Sequence, residues 1–154
     1  EIQRERRSGK GVYLGHRMKI PREKMAYTSG GGGYLLDRVA TRELVHNMEK
    51  HKCQSNAEDL QVGKCLFKSD IVVYNTTDAA GEEMFHPFNP SLSIDAKSIQ
   101  SLDWYVKYRP MGIKLGLEAV SVNTTTFHYM RGGDQVEAWD YLTHCKSSSA
   151  TDPN

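Results

Sequence analysis

The sequence predicts an α/β fold in which short strands alternate with amphipathic helices. Apolar residues recur at helical spacing in two segments, a capping-box pattern marks a third helix between them, and short apolar runs separate the helices. The length of 154 residues allows one compact domain with a sizeable core. We therefore interpret residues 1–145 as part of a single domain and residues 146–154, which are poor in apolar side chains, as a disordered tail.

The first half of the chain is predicted to contain a strand, a glycine loop and a helix in succession. A strand around residues 12–14 leads through a basic turn to a strand at 25–28, which ends at the loop Ser29-Gly-Gly-Gly-Gly33. Apolar spacing then predicts a helix from Tyr34 to about Lys50. Glycines before a helix let the backbone approach a phosphate or a sugar closely. The loop has neither P-loop nor GxGxxG spacing, and a merely structural turn is the equal alternative.

A second helix is expected from Ser55 to about Phe67, because Ser55 and Glu58 have capping-box spacing. Its first turn carries two carboxylates, Glu58 and Asp59, where the helix macrodipole favours negative charge. Such a carboxylate can act as a general base. Acidic residues are also enriched in first turns simply as caps, and on this segment alone the capping interpretation is preferred.

The second half is predicted to alternate strands, loops and one further helix. We expect a buried strand at residues 71–74, an exposed loop through residues 85–90 and a strand within residues 119–130. A last helix is expected to begin at Asp134 and to place three apolar residues on one face: Val136, Trp139 and Leu142.

Two histidines and one aromatic cluster are further candidates for chemistry. His86 and His128 each follow a phenylalanine, and a neutral imidazole can complete the shell of a divalent cation. A lone histidine is more often a hydrogen-bonded packing residue. Trp104 and its tyrosine neighbours have rings that can stack on a sugar face, although aromatic residues at the edge of a core are equally common.

Charge and composition exclude some classes of function. The formal net charge of +1 gives no electrostatic case for a nucleic-acid partner. No apolar run approaches the length of a membrane span or of a signal-peptide core. Three cysteines cannot all pair within the chain, and the two N-glycosylation sequons, at Asn75 and Asn123, are weak support for a secretory compartment.

Taken together, five segments resemble glycosyltransferase family 31 in their order and approximate spacing. The resemblance covers roughly residues 10 to 145 and is strongest to the core 1 β1,3-galactosyltransferases of that family. It implies the C-terminal portion of a GT-A-like glycosyltransferase fold. The segments are Tyr27-Thr-Ser-Gly-Gly-Gly-Gly-Tyr-Leu-Leu36, Ala57-Glu-Asp-Leu-Gln-Val-Gly-Lys-Cys65, Phe85-His-Pro-Phe88, Trp104-Tyr105 and Thr126-Phe-His-Tyr129.

The resemblance implies an inverting transfer of galactose from UDP-galactose to GalNAc linked to Ser or Thr of a glycoprotein. It places the general base on Asp59, supported by Glu58, and the wall of the donor site on Gly31 and Gly32. An inverting transfer needs one base and a cation that neutralises the departing diphosphate, and it needs no covalent nucleophile.

By the same resemblance, His128 is the protein ligand of a manganese ion, with His86 as the second choice. Trp104 and Tyr129 are implied to hold the acceptor sugar and its peptide. The parent protein is expected to be a type II membrane protein of the Golgi lumen, anchored by a segment that is not in this sequence, and a homodimer is left open.

The resemblance also implies that Cys53 pairs with Cys65, which pins the turn that bears the base in an oxidising lumen. Cys145 is then left for a partner outside this sequence or stays free.

Two departures from the family leave alternatives open. The Asp-x-Asp motif that holds the metal and UDP does not occur in these residues, and Leu117-Glu-Ala-Val-Ser-Val-Asn123 replaces a double cysteine. The isolated chain is accordingly expected to be inactive. A non-catalytic chaperone of the same family, or a fringe-like β1,3-transferase of other sugar specificity, remains as an alternative.

Overall fold

A computed structural model describes residues 9–110 and 112–144 of the protein. Within these ranges the chain forms short strands and short helices, which confirms the α/β class. The strands are β1 (Tyr13–Gly15), β2 (Arg17–Lys19), β3 (Ala26–Thr28), β4 (Tyr34–Leu36), β5 (Phe85–His86) and β6 (Thr126–Phe127). The helices are α1 (Arg38–Glu49), α2 (Glu58–Phe67), α3 (Pro90–Ser93), α4 (Ala96–Gln100), α5 (Asp103–Tyr108), a 3-10 turn (Gly116–Ala119) and α6 (Gly132–His144).

The strands pair as three two-stranded sheets. β1 pairs antiparallel with β4, with Tyr13 opposite Leu36, and β2 pairs antiparallel with β3. β5 and β6 are parallel, with Phe85 opposite Thr126, so the middle of the chain is joined to its C-terminal part. The glycine loop connects β3 to β4 and therefore links the two antiparallel pairs.

Helix α1 begins at Arg38, so the prediction that it starts at Tyr34 was wrong. The Asp37 carboxylate accepts a hydrogen bond from the Ala40 N–H at 2.8 Å and caps the helix. Residues 34–36 instead pair with β1. The glycine loop thus precedes a strand, and the amides of the helix that follows it do not contribute to the loop.

Helix α2 ends at Phe67 as predicted, but its start differs from the capping box that the sequence indicated. The N-cap is Ala57, whose side chain makes no capping hydrogen bond. Glu58 accepts a hydrogen bond from the Tyr34 hydroxyl at 2.5 Å, so its carboxylate is drawn away from Ser55 and toward β4. The hydrogen bond from Tyr34 in β4 therefore takes the place of the capping box between Ser55 and Glu58 that the sequence predicted.

Two apolar clusters form the core. The first packs α1 and α2 against β1, and its buried members are Tyr13, Ala40, Val62, Leu66, Ile71 and Val73. The second packs the short helices α4 and α5 against β2, and its buried members are Met18, Phe88, Ile99 and Tyr105. The predicted strand at 71–74 contributes buried Ile71 and Val73, but only Val73 pairs with β1, through an isolated parallel bridge to Tyr13.

Three expectations for the second half need correction. The loop at residues 85–90 was predicted to be exposed, yet Phe85 to Phe88 are buried because they pass between β6 and the second core cluster. The strand predicted within 119–130 is limited to β6. Helix α6 begins at Gly132 and not at Asp134, and Val136 and Trp139, which were predicted to share one face of it, are exposed.

No helix in the described ranges is long and apolar enough to cross a membrane. The side chain of Leu142, Cys145 and the predicted tail at 146–154 lie outside what the structure describes.

Candidate active site

The glycine loop closes as a tight turn. The Gly33 N–H donates to the Gly30 carbonyl at 3.0 Å, and Gly33 has φ +75°, a conformation that side chains disfavour. The preceding Ser29 N–H donates to the His16 carbonyl at 2.9 Å, which fixes the start of the loop on the β1–β2 corner.

Helix α2 lies against one side of this loop. The Gly30 N–H donates to Asp59 Oδ2 at 3.2 Å, and a Cβ atom on Gly30 would lie 3.1 Å from Asp59 Cβ. Farther along the helix, a Cβ on Gly63 would overlap the side chain of Tyr27 in β3. Glycine at both positions allows the helix to approach the strand and the loop closely.

The segment around β6 lies against another part of the loop. A methyl group at Gly31 would overlap the imidazole ring of His128, and one at Gly32 would lie 3.1 Å from the His86 carbonyl oxygen. The Thr126 hydroxyl donates to the Gly32 carbonyl at 2.5 Å. The loop is therefore held between helix α2 on one side and, on the other, the β5–β6 pair with His128 directly after it.

The two predicted carboxylates have different surroundings. Asp59 is half-buried, and its oxygens accept from the Gly30 N–H and, at 2.7 Å, from the Leu60 N–H. Glu58 is exposed and accepts from the Tyr34 hydroxyl. Burial and this hydrogen bond raise the pKa of Tyr34 above its ordinary value, so the hydroxyl keeps its proton. Asp59 is the carboxylate that the backbone orients.

The two predicted metal ligands also differ. His128 is half-buried, and its ring stacks on Tyr129 with centroids 3.7 Å apart. His86 is buried: its Nε2 lies 3.1 Å from the Thr124 hydroxyl, and its ring stacks on Phe127 at 4.5 Å. Burial lowers the pKa of His86 to about 4. These contacts favour the packing interpretation for His86 and leave His128 as the better candidate ligand.

The described residues do not supply a complete metal site. No group of three or more His, Cys, Asp or Glu side chains in the described ranges is arranged to hold an ion. A cation at His128 would take its remaining ligands from a nucleotide diphosphate or from residues outside this sequence. Manganese binding stays a prediction.

One predicted acceptor aromatic, Tyr129, stacks on His128, and the other, Trp104, is linked to it through Phe88. The Trp104 side chain is 49% exposed, and its ring packs edge-on against Phe88 with centroids 5.9 Å apart. The Phe88 carbonyl accepts from the His128 N–H at 3.2 Å. Tyr129 is 61% exposed and has φ +53°. Both side chains are thus accessible to solvent, as a ring that stacks on a sugar must be.

A buried polar cluster beneath the loop was not predicted from the sequence. His16 Nδ1 lies 3.1 Å from the Phe85 carbonyl and 3.4 Å from a Glu83 oxygen, and Nε2 lies 3.1 Å from the Tyr105 hydroxyl. A ring with its proton on Nδ1 donates to Phe85 and accepts from Tyr105. Since the His16 carbonyl also holds Ser29, this cluster ties the loop to β5 and to the helix that carries Trp104.

The structure thus brings together the predicted base, the glycine loop and the histidine, which lie far apart in the sequence. Sequence reasoning missed Tyr34, Phe88 and Thr126 as supporting residues. All three lie inside the segments that carry the family resemblance, and this was the signal that could have identified them. The pairing that the resemblance implied is also present, since Cys53 is bonded to Cys65 with Cα atoms 5.0 Å apart.

Comparisons with known proteins agree with the resemblance. No protein-family model matches the chain. Over 139 residues, which is 88% of this chain, it is 30% identical to a glycoprotein-N-acetylgalactosamine 3-beta-galactosyltransferase 1 from Xenopus laevis. The chain spans 38% of the length of that relative. The resemblance to galactosyltransferases is thereby confirmed over most of these residues.

Proposed function

We propose that this chain carries the base and the acceptor side of an inverting β1,3-galactosyltransferase that transfers galactose from UDP-galactose to GalNAc on glycoproteins. One observation carries the proposal: the Asp59 carboxylate is bound to the glycine loop at Gly30, and the His128 ring covers the same loop at Gly31. The similarity to a galactosyltransferase supports the choice of reaction.

The proposed step is a single displacement at the anomeric carbon of the donor sugar. The acceptor hydroxyl forms the new C–O bond while the bond from the anomeric carbon to the diphosphate breaks, and the electron pair leaves with the diphosphate. Asp59 accepts the proton of the hydroxyl as general base. The Gly30 and Leu60 N–H groups keep the Asp59 carboxylate oriented, which reduces the reorganisation that the reaction requires.

The donor and the acceptor are proposed to lie on opposite sides of Asp59. Gly31 and Gly32 form the wall beside the donor, where the absence of side chains leaves room for the nucleotide sugar. The exposed rings of Trp104 and Tyr129 stack on the acceptor GalNAc or its peptide.

His128 is proposed as one ligand of a manganese ion. When bound, the ion neutralises charge on the departing diphosphate. The chain contributes a ring whose position is fixed by the backbone hydrogen bond to Phe88 and by stacking on Tyr129. The full-length protein is proposed to act in the Golgi lumen, with a membrane anchor outside these residues.

In the full-length protein we expect Asp59→Asn to abolish transfer while UDP binding stays largely intact. An amide can accept a hydrogen bond from Gly30 but does not take up the acceptor proton. Turnover is measured with a GalNAc-bearing glycopeptide, and UDP binding is measured by calorimetry. Asp70→Asn is the matched control, because Asp70 is exposed after α2 and its left-handed backbone suits asparagine. Unchanged turnover in Asp59→Asn would remove the base from this position.

We expect His128→Ala to weaken manganese-dependent UDP binding more than His86→Ala does. His128 lies beside the loop, whereas His86 is enclosed by Phe127 and Thr124. UDP affinity is measured for each variant with and without manganese, so a general loss of folding lowers both values and is separated from a loss of the ion. The opposite order of the two variants would transfer the ligand role to His86.

A non-catalytic chaperone is the alternative that the sequence favours through one observation, the absence of Asp-x-Asp from these residues. The transferase requires the Asp59 carboxylate as a base, whereas a chaperone does not. A chaperone would retain its folding activity in the Asp59→Asn variant, and its upstream sequence would lack the carboxylate motif. An Asp-x-Asp in an upstream apolar strand would support the transferase.

A further inference from the structure

We propose that Asn75 and Asn123 are N-glycosylation sites and that their glycans cover one edge of the molecule. This rests on the proposed function, because such glycans are added in the secretory compartment where the enzyme is proposed to act. Both asparagines begin an Asn-Thr-Thr sequence, and both are exposed in loops of the folded chain.

Asn75 is held in an outward position by its neighbour. The Thr76 side chain is buried, and its hydroxyl donates to the Gly15 carbonyl at 3.1 Å. The exposed Asn75 amide nitrogen then donates to the Thr77 hydroxyl at 2.9 Å, so the two polar groups that define the sequon contact each other at the surface. The Asn75 amide and the Thr77 hydroxyl therefore contact each other and are not buried in the core.

Asn123 lies at an exposed position of a closed turn. The Asn123 N–H donates to the Ser121 hydroxyl at 3.0 Å, and the Thr124 N–H donates to the Ser121 carbonyl at 3.0 Å. The Thr124 side chain faces inward, toward His86. As at the first sequon, the middle residue anchors the loop and leaves the asparagine at the surface.

The two sequons belong to one surface, which we term the sequon edge and define as residues 75–78 and 121–125. The Ser121 hydroxyl donates to Asp78 Oδ2 at 2.6 Å, and the Ser121 N–H donates to the Glu83 carbonyl at 3.1 Å. The two loops are therefore fixed beside each other, and glycans on both would leave the molecule from the same edge.

An exposed valine precedes each sequon in the sequence. Val122, directly before Asn123, is 95% exposed, and Val72, three residues before Asn75, is 51% exposed. Scattered exposed apolar side chains are ordinary, but a bulky, hydrophilic glycan beside each would cover this apolar area. The proposed glycans would thus reduce the apolar area that the protein exposes to solvent beside the two sequons.

The chain also contains asparagines that serve as internal controls. Asn89 is followed by Pro90, which blocks the sequon, and its side chain caps α3 by accepting from the Leu92 N–H at 2.9 Å. Asn56 is exposed but is not followed by a hydroxyl residue at the required position. Neither asparagine is proposed to be modified.

In the proposed reaction the side-chain amide nitrogen of asparagine forms a bond to the anomeric carbon of an oligosaccharide. The oligosaccharide is supplied by a lipid-diphosphate carrier, and the bond from its anomeric carbon to the carrier phosphate breaks. The diphosphate leaves with the electron pair, and the amide loses one proton. The co-reactant is thus a lipid-diphosphate oligosaccharide, and no oxidant is involved.

The test is expression of the full-length protein in animal cells, followed by digestion with peptide-N-glycosidase and electrophoresis. We expect the wild-type protein to lose two more increments of apparent mass than the double variant Asn75→Gln, Asn123→Gln. Each single variant should lose one increment fewer than wild type, and Asn56→Gln should behave as wild type. Thr77→Ala and Thr125→Ala should reproduce the single asparagine variants, because they remove only the sequon hydroxyl.

Protease protection in microsomes and formation of the Cys53–Cys65 disulfide are measured on the same samples. A protected, disulfide-bonded protein in which wild type and the double variant shift equally would overturn this proposal and leave the proposed transferase untouched. A difference of one increment instead of two would overturn the site whose single variant shifts as wild type does. A protein that stays accessible to protease would overturn the lumenal location itself.

The shielding role has a separate readout. We expect the double variant to form more aggregate than wild type during secretion, while turnover per soluble molecule is retained for Asn75→Gln. Equal aggregation of the wild-type and double-variant proteins would show that the glycans do not cover a sensitive edge.

Discussion

At the scale of single residues, the site depends on glycines, because a residue without a side chain leaves space for its neighbours. Gly31 leaves the space that the His128 ring occupies, and Gly30 leaves the space through which its N–H reaches Asp59. The packing density of protein interiors means that such space is filled by a neighbour and is not left empty. The glycines of the loop therefore determine where the histidine and the carboxylate lie.

We expect Gly31→Ala to lower the free energy of unfolding by about 1–3 kcal/mol, because the added methyl group displaces the His128 ring. Urea unfolding of the full-length protein measures the change. Gly133→Ala is the matched control: nothing lies within 4 Å of a Cβ at that position in α6, and alanine is expected to raise helix stability by about 0.5–1 kcal/mol. Equal effects of the two substitutions would show that His128 does not occupy the space beside Gly31.

The sequence predicted the glycine loop, the base and the histidine through family-like segments, but it did not predict why these residues need one another. The contact between Gly31 and His128 joins segments with most of the chain between them. Local periodicity carries no information on such a contact. The same reason explains why the tyrosine hydroxyl that binds Glu58 was missed.

At the scale of elements, helix α2 is held by several independent contacts. The disulfide joins Cys65 in the helix to Cys53 in the preceding loop. The Asn47 side chain of α1 donates to the Cys65 carbonyl at 2.9 Å, and Gly63 lets the helix pack against Tyr27. The acidic first turn is thus fixed relative to β3 and the loop.

We expect the double substitution Cys53→Ala and Cys65→Ala to lower the free energy of unfolding by about 3 kcal/mol, since the disulfide closes a loop with a sequence separation of 12 residues. Equilibrium unfolding in urea under oxidising conditions measures this change. Reduction serves as the control: it should lower the stability of the wild-type protein by more than that of the double variant, and the difference is the contribution of this disulfide. A double variant as stable as the oxidised wild type would contradict the prediction.

Helix boundaries show where the sequence was insufficient at this scale. Apolar spacing identified α1 and capping-box spacing identified α2. The apolar spacing placed the start of α1 at Tyr34, because Leu35 and Leu36 fit a helical pattern as well as a strand. The pairing of β4 with β1 decided the outcome, supported by the strong Asp37 cap. Short apolar runs are ambiguous until their strand partner is known.

At the scale of the whole molecule, a buried polar cluster lies beside the second apolar cluster, where the His16 ring stacks on Tyr105. His16, Glu83 and His86 are all buried. The burial of His86 was not predicted, because residues 85–90 are rich in proline and aromatic residues that also occur in exposed loops. The parallel pairing of β5 with β6 places the Phe127 ring against His86. Global stability therefore depends on groups that can take up protons.

We expect the free energy of unfolding to fall as the pH is lowered from about 6.5 to about 4, and His86→Gln to reduce this dependence. The pKa of His86 is about 4 in the folded protein and about 6.5 when unfolded. Between these values the unfolded chain takes up a proton that the folded chain does not, which favours unfolding by up to about 3 kcal/mol.

Urea unfolding at a series of pH values tests this expectation. The curves for wild type and His86→Gln should run parallel above pH 6.5 and converge or cross below it. A wild-type curve that stays flat from pH 6.5 to 4 while the variant falls would contradict the assignment of a depressed pKa to His86.

The arrangement around the glycine loop also constrains events during synthesis. Gly30 and Gly31 are synthesised first, Asp59 follows, and His128 is synthesised only after the long stretch of chain that separates it from the loop. Contacts of such long sequence separation form late and slow the folding of a domain. A nascent chain consequently has its loop and its base before it has the ring that covers the loop, so a truncated translation product that ends before β6 lacks the assembled site even when α2 is already folded.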